Sequence, residues 1–438
     1  MTSNTPPFGR TVPGNRWDLV RDVHAPVRTV SVIVPHYRQQ AELDRTLAAL
    51  ARQTHPANAL QVVVVDDGSP EPPRVPDGVR LVRQRDEGFR LAAARNAGVA
   101  ASDGEILCFL DADTAPEPDY VARMTRLPSL LPEAVTVGRR RHADFRDAST
   151  PVEVAGPAAA LPEPSWLTES YRASADLLRS DDRSYRYLIG AVTACSRWFF
   201  EQVGGFDEDF REYGGEDWEW AYRAWLAGGI FCHVPDAVAW HDGPDWAGRD
   251  ARNGARRVLK NRESLTLARK IPVSGSRGHA VRTATSDVEV RLTPSTSDAA
   301  TFICVDSLLA LVPEAQVLLP ADAAALFPDD RRVVTESDSG GTPPRVRIDV
   351  IRPVQFNAER EASASLRVAI REVGVDALAA VEFGDDAGLV LTVTSARAFA
   401  RERRWSNLDG WQIRSRISDW KRLDGAEPEL AAYLGGWG

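Results

Sequence analysis

Strand patterns alternate with helical patterns from residue 28 to residue 270, and this alternation restricts the fold more than any other feature. Residues 29–35 form a β-branched run closed by proline, residues 41–53 repeat leucines at helical spacing, and residues 60–67 form a second apolar run. Two further strand patterns, with an alanine-rich helix between them, lie at 79–84 and 105–113. Repeated passes of this kind predict an α/β fold with a mostly parallel, Rossmann-like sheet.

Acidic residues follow two of these strand patterns. Asp67 closes the run VVVVDD, and Asp111 and Asp113 follow the run ILCFL. Ligands bind outside the carboxyl ends of parallel strands, where Asp67 could accept a hydrogen bond from a base or a ribose, although Asp-Gly is also a common turn pair. In an extended chain Asp111 and Asp113 share one face. Carboxylates so placed suit Mg²⁺ or Mn²⁺ bound together with substrate phosphates.

A second acidic group occurs in the segment YGGEDWEW. Gly214 and Gly215 precede Glu216 and Asp217, which stand at the start of a predicted helix. Free backbone N–H groups stabilise negative side chains there, so the pair is either a plain helix cap or a candidate general base. His241 follows an apolar run, and with two carboxylates it would complete an oxygen and nitrogen ligand set for a metal.

Charge and apolar patterning exclude several classes of protein. The chain has 53 Lys and Arg against 62 Asp and Glu, a net charge of −9, which argues against nucleic acid as a partner. No run of about 18 apolar residues could span a membrane, and the first residues lack the apolar core of a secretory signal. We therefore expect a cytoplasmic protein, and peripheral contact with the inner face of the membrane stays open.

Six motifs follow one another along the chain in this order: VSVIVPHYR, VVVVDDGS, GFRLAAARNAG, FLDAD, GGFDEDFREYGGEDWEWAYR and WHD. Together they resemble family 2 glycosyltransferases with the GT-A fold, and the later part is similar to the galactosyltransferase C-terminal motif of chondroitin-polymerase-like enzymes. The resemblance covers about residues 29–245. It implies a metal-dependent, inverting enzyme that moves a sugar from a nucleotide-diphosphate sugar, with a UDP-sugar expected, to a hydroxyl of a glycan, a lipid-linked or another acceptor.

The resemblance also implies roles for individual residues. The positions that match the donor site are Pro35, Tyr37, Asp67, Arg90 and Asp111. Among these, Asp67 binds the base, Arg90 lies near the base or the diphosphate, and Asp111 lies nearer the ribose. The positions that match ligands of Mn²⁺ or Mg²⁺ are Asp113 and His241, with Asp111 beside them.

The catalytic positions come from the GGED segment. Asp217 matches the base of a single displacement, and Glu216 matches a neighbour that contacts the donor or acceptor sugar. Trp218 follows the base directly, so we expect it beside the acceptor. Positions 249, 252, 256 and 260 carry Arg or Lys on one helical face, which is either a solvated face or a surface for an anionic acceptor.

The predicted domains are an N-terminal arm (1–27), expected to be poorly ordered or loosely docked, a GT-A domain (28–270), a linker (271–286) and an accessory α/β domain (287–438). In the last, VEVRLTP and DSLLALVPEAQVLLPAD resemble the first strand, helix and second strand of the GT-A domain. SLRVAIREVGVDALAAVEFGDDAG resembles its arginine-bearing helix and acidic strand. A degenerate, inactive GT-A-like repeat and an unrelated domain both stay open, as does a homo-oligomer.

Two other functions fit some of the same residues. A non-catalytic nucleotide-sugar-binding protein would not need Asp217, Asp113 and His241 together. A sugar nucleotidyltransferase also uses acidic strand ends and a metal, but it gives no reason for the GGED and WHD segments.

Overall fold

The computed structural model describes residues 4–145, 150–212, 214–244, 254–281, 286–293, 295, 297–335 and 343–436. The chain divides into two compact units, residues 1–267 and 268–438. No helix in these ranges is long and apolar enough to cross a membrane.

The described part of the first unit is built from strands and covering helices. Its strands are β1 (Val30–His36), β2 (Leu60–Asp66), β3 (Arg80–Arg83), β4 (Ile106–Leu110), β5 (Thr114–Pro116), β6 (Ala134–Ala143), β7 (Ala160–Leu161), β8 (Val192–Ser196) and β9 (Ile230–Asp242). Its helices are α1 (Gln40–Leu50), α2 (Leu91–Ala100), α3 (Tyr120–Leu130), α4 (Val152–Ala158), α5 (Ser165–Ala173), α6 (Arg197–Val203), α7 (Glu216–Leu226) and α8 (Gly254–Lys270), the last continuing into the second unit.

One mixed sheet forms the centre of this unit, in the order β3-β2-β1-β4-β8-β6-β9-β5, with β7 beside β6. Strands β3, β2, β1 and β4 are parallel, β8 runs antiparallel between β4 and β6, and β6 and β9 are parallel again. All seven residues of β1 are buried, because this strand lies between two neighbours and under helices. The α/β fold with a GT-A-type, mostly parallel sheet is therefore confirmed.

The N-terminal arm does not dock loosely as expected. Val12 and Val20 are buried against α3 and the start of β9. The Asn15 amide donates to the carbonyl oxygens of Leu177 (2.6 Å) and Phe231 (2.7 Å) and accepts from the N–H of Phe231 at 2.8 Å. The polar composition of residues 1–27 predicted a loose arm. Composition alone cannot show that one asparagine in this arm forms hydrogen bonds with the backbone of two distant segments.

The second unit has its own sheet. Its described strands are β10 (Val288–Leu292), β11 (Gln316–Leu319), β12 (Val333–Thr335), β13 (Val346–Val350), β14 (Val354–Gln355), β15 (Leu378–Asp385), β16 (Gly388–Ser395), β17 (Gln412–Ile417) and β18 (Lys421–Arg422). Its described helices are α9 (Asp298–Leu311), α10 (Ala321–Ala324), α11 (Glu361–Glu372), α12 (Ala396–Trp405) and α13 (Leu430–Tyr433).

The strand order of the second unit repeats that of the first. The order is β12-β11-β10-β13-β16-β15-β17, and every neighbour has the same relative direction as its counterpart in β3-β2-β1-β4-β8-β6-β9. Even the register agrees: Ile106 of β4 lies opposite Ser196, and Val346 of β13 lies opposite Ser395. Both serines cap the helix that follows. The topology therefore favours the GT-A-like repeat over an unrelated domain.

One expected correspondence within the repeat is wrong. The segment SLRVAIREVGVDALAAVEFGDDAG was matched to the arginine-bearing helix and acidic strand, which are α2 and β4. It instead forms the end of α11 and then β15. By its place in the sheet β15 corresponds to β6, and α11, which precedes it, corresponds to α3. Local similarity misled the assignment, because strand pairing determines equivalence and the counterpart of β4 is β13.

Candidate active site

A cavity of about 460 Å³ opens at the carboxyl ends of β1, β2 and β4, beside the end of β9. We call it the donor cavity. Its lining brings together six residues that the sequence predicted for one site: Pro35, Tyr37, Asp67, Asp111, Asp113 and His241. The parallel strands explain this meeting, because their carboxyl ends lie along one edge of the sheet.

At one end of the donor cavity, the successive residues Asp66 and Asp67 have different structural roles. Asp66 is fully buried and binds Arg83 (2.9 Å) and His36 (3.2 Å), so it holds the strand ends together. Asp67 faces the donor cavity, where its oxygens accept from the amide of Gln84 (2.5 Å) and from the N–H of Arg90 (3.0 Å). Burial raises the pKa of the Asp67 carboxyl. Asp67 is thus an acceptor held by neighbours rather than a freely rotating turn residue.

Arg90 contributes to this end mainly through its backbone. Its guanidinium pairs with Glu87 at 2.8 Å, and it is not among the residues that line the donor cavity. The predicted contact of its side chain with base or diphosphate therefore stays a prediction.

Two aromatic side chains stand at the mouth of the donor cavity. Tyr37 and Phe89 are each 38% exposed, and the Tyr37 hydroxyl donates to Asp86 at 3.3 Å. Aromatic faces so exposed can stack on a nucleobase. Phe89 was not predicted, although its sequence signal was present: a phenylalanine two positions before the first residue of α2, Leu91, lies outside the apolar face of that helix.

At the other end of the donor cavity, the side chains of Asp111 and Asp113 have different partners. Because β4 ends at Leu110, both lie in a turn and the alternation of a strand does not apply to them. Asp111 pairs with Arg95 at 3.0 Å. Asp113 Oδ2 lies 3.4 Å from His241 Nε2, and Asp113 Oδ1 accepts from the Thr114 hydroxyl at 3.2 Å. Burial opposes ionisation of Asp113, but His241 and Arg140 outweigh it and lower its pKa to about 2.

Asp113 and His241 fit a divalent cation. The Nδ1 atom of His241 lies 3.1 Å from the carbonyl oxygen of Gly243, which can only accept, so Nδ1 carries a hydrogen and Nε2, on the side of Asp113, is the nitrogen that would bind a metal ion. Within the described ranges no three Asp, Glu, His or Cys side chains converge as a complete metal site. Two protein ligands are enough for an ion that also binds substrate phosphates.

A buried arginine connects the donor cavity to α7. Arg95 on α2 is 1% exposed and binds Asp111 at 3.0 Å and Glu216 at 2.8 Å. Burial and the neighbouring Asp217 raise the pKa of Glu216 to about 7, although Arg95 opposes the rise. Sequence reasoning missed Arg95, which shares a helical face with Ala92 and Val99; an arginine on an apolar face signals a buried partner.

Asp217 is held at the first turn of α7. Its two oxygens accept from the N–H groups of Gly190 (2.9 Å) and Trp218 (2.8 Å), and burial raises its pKa. Gly214 and Gly215 both have φ near +95°, which explains the glycine pair. Their close neighbour is Glu263 of α8 rather than an open ligand space: a Cβ on Gly214 would lie 3.0 Å from its Oε2.

Trp218 lies beside this turn, half-buried. Its ring meets Tyr185 edge-on with centroids 6.2 Å apart, and the Lys260 ammonium stands 5.1 Å from its centroid. Lys260 also pairs with Glu263 at 2.7 Å. Of the predicted basic face, Arg249 and Arg252 lie outside the described residues.

The second unit lacks the acidic positions of this site. In the matched register, Ile351, Arg352 and Pro353 follow β13 where Asp111, Ala112 and Asp113 follow β4. Arg422 lies opposite Val354 as His241 lies opposite Thr114, and it pairs with Asp385 at 3.1 Å. In the second unit a guanidinium thus occupies the position at which the first unit has His241, a candidate metal ligand.

Residues 31–202 match the family model described as glycosyl transferase family 2, and residues 174–239 match the one described as N-terminal domain of galactosyltransferase. Over residues 31–202 the first unit is similar to glycosyltransferase family 2, and we call it the family 2 unit after this match. The matched ranges include β2 to β4, all of β1 but its first residue, and the residues that line the donor cavity except His241. The second match contains the Glu216–Asp217 turn of this family 2 unit.

Curated relatives of the family 2 unit act in sugar transfer by name. Chondroitin synthase of Escherichia coli is 28% identical over 284 residues, which are 58% of this chain and 40% of the relative. Hyaluronan synthase of Pasteurella multocida is 30% identical over 49% of this chain and 24% of its own length. Validoxylamine A glucosyltransferase of Streptomyces hygroscopicus subsp. limoneus is 33% identical over 46% of this chain and 48% of its own. The chain thus spans less than half of each.

Proposed function

We propose that the family 2 unit is an inverting, metal-dependent glycosyltransferase that moves a sugar from a nucleotide-diphosphate sugar, a UDP-sugar in our proposal, to an acceptor hydroxyl. The observation that carries the proposal is the link Asp111–Arg95–Glu216, which fixes a donor-type cavity beside a helix start that bears a held carboxylate. The names of the relatives support sugar transfer but differ in product, so they favour no single acceptor.

The donor would lie along the donor cavity with its base at the Asp67 end. Asp67 is held with its oxygens towards N–H groups, and the ring of Tyr37 offers a stacking face. The diphosphate would then reach Asp113 and His241, which would hold Mn²⁺ or Mg²⁺. When bound, such an ion offsets the negative charge of the departing diphosphate.

Asp217 would act as the base. It accepts the proton of the acceptor hydroxyl while that oxygen attacks the anomeric carbon, and the bond from that carbon to the diphosphate oxygen breaks. Attack from the face opposite the leaving group inverts the configuration, and the products are the glycoside and a nucleoside diphosphate. The raised pKa of Asp217 supports this role, because a base is most effective when its pKa approaches the working pH.

Glu216 would serve beside the base rather than replace it. Its Oε1 is bound to Arg95, whereas Oε2 is buried without a hydrogen-bond partner among the described residues. An unsatisfied buried carboxylate oxygen is available to a sugar hydroxyl. Trp218, half-buried beside Asp217, offers an aromatic surface for the acceptor ring.

A product assay separates the proposal from its rivals. The full chain is incubated with Mn²⁺, a panel of UDP- and GDP-sugars and a mixed set of glycan and lipid-linked acceptors, and free nucleoside diphosphate and the anomeric configuration of the product are measured. A transferase releases nucleoside diphosphate only when an acceptor is present, and it inverts the configuration. Pyrophosphate release from a nucleoside triphosphate and a sugar phosphate would indicate a nucleotidyltransferase, and binding without turnover a sugar-nucleotide-binding protein.

A further inference from the structure

Strand β6 carries three successive arginines, and the middle one differs from its neighbours. Arg139 and Arg141 point to one face, where both pair with Glu163, Arg139 at 2.7 Å and Arg141 at 3.3 Å. Strand alternation turns Arg140 to the opposite face, and it lines the donor cavity. That face also carries His142, whose ring lies 5.0 Å from that of His241.

Among the described residues Arg140 forms no ion pair, and its buried Nε has no hydrogen-bond acceptor. Arg95, which also reaches this site, is bound by two carboxylates. The positive charge of Arg140 does reach Asp113, whose pKa it helps to lower. A half-buried guanidinium without a hydrogen-bonded anion is costly, so an anion that joins it is stabilised.

The chemistry of the donor cavity indicates which anion this is. A guanidinium stays charged at any working pH and matches phosphate oxygens with two parallel hydrogen bonds. Asp113 and His241, the two residues suited to a metal that binds phosphate, line the same cavity. We propose that Arg140 binds the diphosphate of the donor directly, as a contact that does not need the metal. This inference rests on the proposed function, of which it names a further donor-binding residue.

The test separates phosphate contacts from base contacts and from the metal. Binding of UDP, GDP, uridine and guanosine is measured by calorimetry on the full chain in EDTA and again in Mn²⁺. The variants are Arg140→Gln and Arg140→Lys. Arg139→Gln is the matched control, because it removes the neighbouring arginine of β6, whose side chain points to the opposite face of the sheet. Thermal unfolding of each variant shows whether it is folded.

We expect the wild type and Arg139→Gln to bind the diphosphates in EDTA. Arg140→Gln should bind them about 10- to 100-fold more weakly, the cost of losing hydrogen bonds to a charged group. Arg140→Lys should fall between, and nucleoside binding should not change. Equal diphosphate affinity of Arg140→Gln and wild type, or no wild-type binding in EDTA, would overturn the inference. Failure of transfer with every donor would instead overturn the proposed function while leaving an Arg140-dependent diphosphate affinity intact.

Discussion

Nε2 of His241 lies 3.4 Å from Oδ2 of Asp113, while the other nitrogen of the same ring faces the carbonyl oxygen of Gly243 at 3.1 Å. The Gly243 contact orients the ring, so Nε2 is the nitrogen directed to the position that Asp113 also faces. This relationship underlies the first prediction.

Chelation should abolish sugar transfer, and Mn²⁺ or Mg²⁺ should restore it. Asp113→Ala should lose the thermal stabilisation that UDP gives in Mn²⁺, because the diphosphate loses its counter-charge, and His241→Ala should raise the metal concentration needed for half-maximal rate. Asp119→Ala removes an exposed carboxylate outside the donor cavity and serves as the control. Full activity after exhaustive chelation would contradict the metal assignment.

Asp217→Asn should lower kcat by roughly 10² to 10⁴ and leave donor affinity nearly unchanged. The asparagine has one acceptor oxygen where the aspartate uses two, so either the Gly190 or the Trp218 N–H loses its partner. We therefore also expect a stability loss of about 1–3 kcal/mol in urea unfolding. Transfer at the wild-type rate would move the base elsewhere, with Glu216 the first candidate.

Arg95→Met should destabilise the protein by about 3–5 kcal/mol, because it leaves Glu216 and Asp111 without their buried cation. Adding Glu216→Gln to this variant should recover part of the loss, since the neutral amide does not need a counter-charge. A double-mutant cycle by urea unfolding measures the coupling. Additive effects would mean that the two side chains do not interact in solution.

Glu216 should make the protein less stable as pH rises. Its pKa is raised from 4.5 to about 7 in the folded state, so between these values the native protein holds a proton that the unfolded chain has lost. The free energy of unfolding should fall through that window by up to about 3 kcal/mol, at about 1.4 kcal/mol per pH unit, and change no further above it.

The measurement is urea unfolding of wild type and Glu216→Gln at pH 5 and pH 7.5. The variant should lose less stability than the wild type between the two values. A wild type whose Glu216-dependent stability grows with pH would show that the Arg95 ion pair outweighs burial.

Gly68→Ala should disturb the Asp67 end of the donor cavity far more than Gly78→Ala does. Both glycines have positive φ, +83° and +86°, but a Cβ at Gly68 would lie 2.3 Å from the Asp86 nitrogen, whereas nothing lies within 4 Å at Gly78. We expect about 1–2 kcal/mol for the backbone strain in both and a further 1–3 kcal/mol for the clash at Gly68. UDP affinity should fall in the first variant alone. Equal effects would mean that the Asp86 segment moves aside freely.

The sequence predicts the part of this site that lies at strand ends. Apolar runs identify buried strands, parallel strands end along one edge, and so Asp67, Asp111 and Asp113 could be placed together before any coordinates existed. His241 could be added because it also follows an apolar run. These inferences need only the local pattern and one rule about parallel sheets.

Contacts between distant segments could not be predicted in this way. Arg95 and Glu216 are 121 positions apart, and nothing near either one reveals the other. Arg140 is one of three adjacent arginines, and only the paired strands show which of them turns to the donor cavity. The loose docking expected for residues 1–27 failed for the same reason, since its partners lie far along the chain.

The second unit shows what this framework becomes when the acidic positions are exchanged. It keeps the strand order, the register and the serine cap, and it buries a continuous apolar core, although Ile351 and Pro353 replace the two aspartates. The strand framework can therefore form without carboxylates at those positions. In the first unit the same two positions are available for ligand binding, and the buried Arg95 balances the charge that Asp111 brings.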